Sequence, residues 1–145
     1  MKAITLHQPY ATLIAIGAKR VETRGWRTRF RGPLAIHAAR VFGPGARALC
    51  SREPFRSALA QGGYASADAL PLGAVVATCR LLDCQPTSAD DGQPSAHLPP
   101  ADAAERAFGD YALGRYLWLL ADVVPVSPPR PARGKQGFWE WDASP

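Results

Sequence analysis

Residues 6–26 read LHQPYATLIAIGAKRVETRGW, and the order of residue types in this stretch decides the fold. Ala3-Ile4-Thr5-Leu6, running into it, reads as a short strand. Pro9 suits the first turn of a helix, where a missing N–H removes nothing, and Gly17 suits the residue just past the helix end, where a positive φ is wanted. "KRVETR" then returns to an extended pattern, with Val21 and Thr23 alternating with Glu22 and Arg24. The same run sets Lys19, Arg20 and Arg24 around one carboxylate, Glu22, and closes on Trp26. Three readings stand for it: a catalytic cluster, a surface for a polyanion, or a charged turn.

Working outward, "GPLAIHAAR" (residues 32–40) is extended, and the basic residues 24–31 join it to the strand before. Residues 43–63 turn helical, and Pro54 must begin a new helix or break the first. "LGAVVATCRLLDC" (residues 72–84) has the look of a buried strand, and "GRYLWLLADVVPV" (residues 114–126) of a long one. Between them, residues 85–104 form a loop leading to a short helix at residues 101–108. "SPPRPARGKQG" (residues 127–137) is expected to be an extended loop, because proline cannot donate ladder hydrogen bonds. "GFWEWD" gives a last strand, with either Trp139 and Trp141 or Phe138 and Glu140 facing the core. Trp118, with apolar neighbours on both sides, reads as core, and His37 as a hydrogen-bonded core histidine.

Strands interleaved with short helices imply an α+β domain on a mixed or closed sheet. At 145 residues, with 47% hydrophobic and 20% charged residues, the chain suits one domain, residues 1–145, with a helical insertion at about residues 43–63. No apolar run approaches the ~20 residues of a bilayer-crossing helix. The first apolar stretch is broken by His7, Gln8 and Pro9, unlike a signal peptide, so a cytoplasmic protein without membrane partners is expected. Cys50, Cys79 and Cys84 are odd in number, and His7, His37 and His97 share no ligand spacing with them, so neither a disulfide framework nor a metal is expected, and no cofactor. Gly-rich phosphate loops, nucleophile elbows and HExxH motifs are missing.

The net charge of +5 hides an asymmetry. Residues 1–56 hold eleven Lys/Arg and two acids, a net of +9, while the remainder is −4. Positive potential concentrated on one portion of a surface attracts polyanions. Arg27, Arg29 and Arg31 alternate along an extended segment and suit phosphate contacts, joined by Arg133 and Lys135 on the later loop. Tyr10 and Trp26, flat rings beside polar or basic residues, suit stacking on a base. Glu22 suits a salt-bridged orienting role. Crowding by Arg20 and Arg24 would lower the Lys19 pKa, and Glu22 would oppose that shift.

The Gln8-Pro9 pair, the Gly17-x-Lys19-x-x-Glu22-x-Arg24 core, Trp26, the Arg31-Gly32 turn, "PLGAVVATCRLLDC" and "RYLWLL…GKQGFWEW" follow one another in an order that resembles the ASCH family, of the PUA-like superfamily, in its bacterial single-domain type. Tyr10 stands where Trp is commoner in that family. The resemblance implies a small mixed or antiparallel β-barrel with flanking short helices, and a basic cleft into which Lys19, Glu22 and Arg24 project. It also implies RNA, single-stranded nucleic acid or a modified nucleoside as partner; together with the residue pattern above, the expected contacting set is Tyr10, Lys19, Arg20, Arg24, Trp26, Arg27, Arg29, Arg31, Arg133 and Lys135. The alternative is a hydrolase using the same cleft, with Lys19, Glu22 and Arg24 catalytic: a ribonuclease on single-stranded RNA or an amidohydrolase on an acylated nucleoside. In the amidohydrolase type, Lys19 matches the family's lysine, Glu22 stands in place of its threonine, and its distant glutamate has no matching motif. A protein-interaction module is disfavoured, since the Arg-rich half lacks apolar anchors.

Overall fold

Alternation along two neighbouring strands sorts the core into two faces. In β1 (Lys2–Leu6) and β3 (Gly32–Ala38), Ile4, Leu6, Leu34, Ile36 and Ala38 face one way, and Ala3, Thr5, Ala35 and His37 the other. The first set packs with Val76, Leu81, Trp118 and the inner side of helix α1 (Tyr10–Ala15). The second set meets Val75, Trp139 and Trp141. Each fully buried Leu or Ile here contributes about 1.5–3 kcal/mol relative to an exposed one. The structure, a computed structural model, describes residues 1–145.

The remaining elements are β2 (Val21–Arg24), α2 (Pro44–Leu49), α3 (Phe55–Gln61), a single 3-10 turn (Ala67–Ala69), β4 (Ala74–Pro86), α4 (Ala104–Ala107), β5 (Tyr116–Pro131) and β6 (Trp139–Glu140). The strands form one mixed sheet in the order β2-β5-β4-β3-β1-β6. Only β1 and β3 run parallel, in a register that sets Thr5 beside His37 and Leu6 beside Ala38. No helix is long and apolar enough to cross a membrane.

The helix start and stop read from sequence are present. Pro9 precedes α1, and Gly17 takes φ +82° after it. Gln8 fixes the start: its Oε1 accepts the Thr12 N–H at 3.0 Å, while its Nε2 donates to Thr12 Oγ1 at 2.7 Å and to the Pro71 carbonyl at 2.8 Å. Pro54 separates α2 from α3, and Phe55 and Leu59 of α3 join Leu13, Leu70 and Phe108 in a second cluster.

Two expectations are corrected. The sheet does not close into a barrel, because its edge strands β2 and β6 exchange no backbone hydrogen bonds. Aromatic rings fill that gap instead: Trp26, just past β2, meets Phe138, just before β6, at 5.3 Å, and both meet Trp118. The loop expected at residues 127–137 begins only after Pro131. β2 flanks β5 only along residues 116–119, so beyond them β5 is an edge, where the missing N–H of Pro128 or Pro129 disrupts no second ladder. Of the last strand, Trp139 and Trp141 are buried, Phe138 is partly buried and Glu140 is exposed.

Candidate nucleic-acid interface

Parallel pairing brings the C-terminal ends of β1 and β3 side by side, so His7 and Arg40 leave the sheet at the same end. Residues 132–137 cross this end on their way from β5 to β6, beginning with the Ala132 N–H bonded to the Gly73 carbonyl at 3.0 Å. Beside this strap, at the same end of the sheet, lies a cleft of about 1390 Å³. Arg24, Arg40, Arg133 and Lys135 line it, with Trp26 at its wall and no Asp or Glu in the lining. Arg40, Arg133 and Lys135 have no counter-charge, and Arg24 pairs with Glu22 at 3.3 Å, so the concave surface is net positive and focuses potential on an anion. Trp26 is 37% exposed, and the Arg24 guanidinium lies 5.9 Å from its ring centre.

A smaller cleft of about 440 Å³ shares Thr5, His7 and Arg24 with the first, and adds Tyr10, Glu22, Thr23, Asp110 and Arg115. Glu22 is its inner carboxylate. Glu22 Oε1 accepts the Thr23 N–H at 2.9 Å, and Oε2 lies 3.3 Å from Arg24 Nη1. Behind it, Lys19 is 0% exposed, and its Nζ donates to the carbonyls of Val21 and Phe108, both at 2.6 Å. Burial lowers the Lys19 pKa, with Glu22 and Glu105 opposing. The physical cause is desolvation rather than the Arg20 and Arg24 charges invoked from the sequence. Lys19 does not project into either cleft, and with both carbonyl bonds made it is an internal tie rather than a contact surface.

The other expected residues divide into three groups. Arg24, Trp26, Arg133 and Lys135 come together in the large cleft, and Tyr10 and Glu22 in the small one. Tyr10 is half-buried, edge-on to Phe55, with Lys19 Nζ 5.7 Å from its ring centre. Burial first, and then Glu22, raises its pKa. Arg20, Arg27 and Arg29 are exposed but line neither cleft, and Arg31 is engaged by Asp83 at 3.0 Å.

Sequence reasoning passed over Arg40, His7, Arg115 and Glu105. Glu105 accepts the backbone N–H groups of Arg20 and Val21 at 2.9–3.1 Å, pinning the start of β2. Arg115 donates to the Thr23 carbonyl at 3.2 Å and to the Asp110 carbonyl at 3.1 Å. The available signal was the position of His7 and Arg40 directly after two strands, which becomes informative only once those strands are known to be parallel.

The model of the ASCH domain matches residues 4–111. The chain belongs to the ASCH domain family. This ASCH domain is also similar in structure to ASCH from Zymomonas mobilis and to a point mutant of it, each at 18% identity and TM-score 0.49. The alignment covers 90% of this chain and 72% of the first, or 74% of the mutant. No curated protein matches the chain. Arg133 and Lys135 lie beyond the residues that the family model matches.

Proposed function

We propose that this ASCH domain binds single-stranded RNA or a nucleotide along the basic cleft, with the backbone phosphates on Arg24, Arg40, Arg133 and Lys135 and a base stacked on Trp26. The observation that carries the reading is the lining itself: four cations and one exposed indole with no carboxylate among them. Phosphate contacts supply affinity independent of sequence, and an aromatic face takes any base. The family's link to RNA binding agrees with this reading. Fluorescence anisotropy with a labelled oligouridine across a salt series tests it: affinity should fall steeply with salt, and a salt-independent signal would place binding elsewhere.

Hydrolysis is the second reading, favoured by the small cleft, which adjoins the first and holds Glu22 and Asp110 together with Arg24 and Arg115. In that reading Glu22 acts on a substrate, and Lys19 orients Glu22 from behind without touching the substrate. Incubation with single-stranded RNA and with acylated nucleosides, followed by product analysis, distinguishes turnover from binding.

A further inference from the structure

His37 lies beneath the strap, 1% exposed, with Nε2 2.7 Å from the Ala132 carbonyl oxygen. A carbonyl only accepts, so Nε2 carries the proton, and Nδ1 of the neutral ring is a bare lone pair. Nδ1 is buried and has no hydrogen-bond partner. Gly134 covers that edge. A Cβ at Gly134 would stand 2.7 Å from Nδ1, 2.6 Å from Cε1 and 2.6 Å from Thr5 Oγ1, so only glycine permits the approach. A proton added to Nδ1 would face Gly134 with no acceptor in reach.

The surroundings offer an imidazolium nothing else. Thr5 on β1 accepts the Trp139 Nε1–H at 3.1 Å, and the Trp139 ring stands edge-on to His37 at 5.4 Å. On β4, the paired neighbour is Val75. The charged or titratable groups sharing the cleft are His7, Arg24, Arg40, Arg133 and Lys135, none of them an acid. Glu140 on β6 is exposed and pairs with Lys2 and the N-terminus. Burial accordingly lowers the His37 pKa from 6.5, partly offset by the Ala132 bond.

We propose that His37 and Gly134 form a proton-sensitive latch: residues 132–137 dock only on the neutral ring, and protonation of Nδ1 releases the strap and with it the Arg133 and Lys135 wall of the cleft. As regulation of RNA binding, this rests on the binding reading above. The released ring regains its ordinary affinity for a proton, so docking is complete above 6.5 and weakens below it by up to about tenfold per pH unit. RNA affinity falls with it. Plain electrostatics has the opposite sign, since a positive charge gained on His37 beside the basic cleft would tighten a polyanion.

The test is an NMR titration of the free protein from pH 8 to 5, paired with oligouridine anisotropy over the same range. The expected result is a neutral Nε2–H tautomer at pH 8, a His37 midpoint below 6.5, a Gly134 amide shift with that same midpoint, and RNA affinity that declines alongside. His37→Gln, which retains a donor for Ala132 but cannot be protonated, should flatten the decline. Gly134→Ala should weaken binding already at pH 8. Titration of His37 with the Gly134 amide unmoved, or affinity that rises steadily toward pH 5, overturns the latch. Failure to bind RNA at any pH overturns the binding reading alone, and the NMR arm still decides the latch.

Discussion

Lys19 Nζ and Glu22 Oε1 stand 3.6 Å apart with almost no solvent on either side chain. The pair lies inside the domain, and Lys19 joins β2 to the segment after α4 through the Val21 and Phe108 carbonyls. Lys19 and Arg24 flank Glu22, whose single negative charge is shared between the two cations and leaves the trio one positive charge in excess. Lys19 ties β2 from the inside, and Glu22 and Arg24 line the small cleft.

Glu22→Gln should destabilise the domain strongly, because it leaves the Lys19 ammonium buried without a counter-charge. Breaking a buried pair in this way costs about 3–5 kcal/mol. The Lys19→Met/Glu22→Gln double variant should recover much of that loss. The pH dependence follows from the lowered Lys19 pKa: the unfolded chain holds this proton more tightly, so stability gains as pH rises toward 10.5. The deficit of Glu22→Gln relative to wild type should narrow over that range in thermal melts. A deficit constant with pH would remove Lys19 as its cause.

Salt dependence separates the cleft from the rest of the basic surface. Arg133→Ala with Lys135→Ala should weaken oligouridine binding and reduce the slope of log affinity against log salt by ~0.7 for each lost single-strand phosphate contact. Arg27→Ala with Arg29→Ala, outside both clefts, should change the slope far less. The reverse ranking would move the phosphate track onto the segment between β2 and β3.

Trp26 and Tyr10 were equal candidates for stacking, and their packing now separates them. Trp26→Ala should lose about 1–3 kcal/mol of binding with the salt slope unchanged, since stacking releases no counterions. Tyr10 packs against both main core clusters, so Tyr10→Ala should instead lower the melting temperature, by an amount on the order of a 3–5 kcal/mol aromatic truncation. Melts run beside anisotropy measurements read both. Intact RNA affinity in a folded Trp26→Ala protein would remove the indole from the interface.

What the sequence revealed and what it hid follow one physical division. Pro9 and Gly17 act on their own backbone, so the ends of α1 were legible, and the short apolar runs around Ile4 and Ile36 marked strands in the same way. Lys19 was expected in the cleft because its neighbours in sequence are charged; one of the two carbonyls that tie it inside belongs to Phe108, 89 residues away. Pro128 and Pro129 argued for a loop, since the edge position that tolerates them depends on how short β2 is. Closure was expected because apolar strands need covered edges, and here Trp26, Phe138 and Trp118 supply the cover without hydrogen bonds. Arg40 and His7 became visible as cleft residues only through the parallel β1–β3 pairing.

The last prediction concerns the thiols, all three of which are buried and unpaired. Burial pushes the Cys79 pKa up to about 12, and Cys50 is raised by the same cause against the opposing charge of Arg47. A thiol held protonated is a poor nucleophile, so a disulfide reagent at pH 8 should leave Cys79 unmodified in the native protein and label it once denaturant exposes it. Linkage gives the accompanying sign. The folded state keeps the Cys79 proton above the unfolded value of 9.0, so this contribution is intact below pH 9.0 and is lost as pH rises from there toward 12. The loss amounts to up to ~1.4 kcal/mol per pH unit. Cys79→Ala should therefore be somewhat less stable than wild type at neutral pH, from the small cavity it leaves, and yet decline less steeply between pH 9 and 11. Rapid native labelling of Cys79, or alkaline declines that run parallel in the two proteins, would show that β4 opens to solvent at that residue.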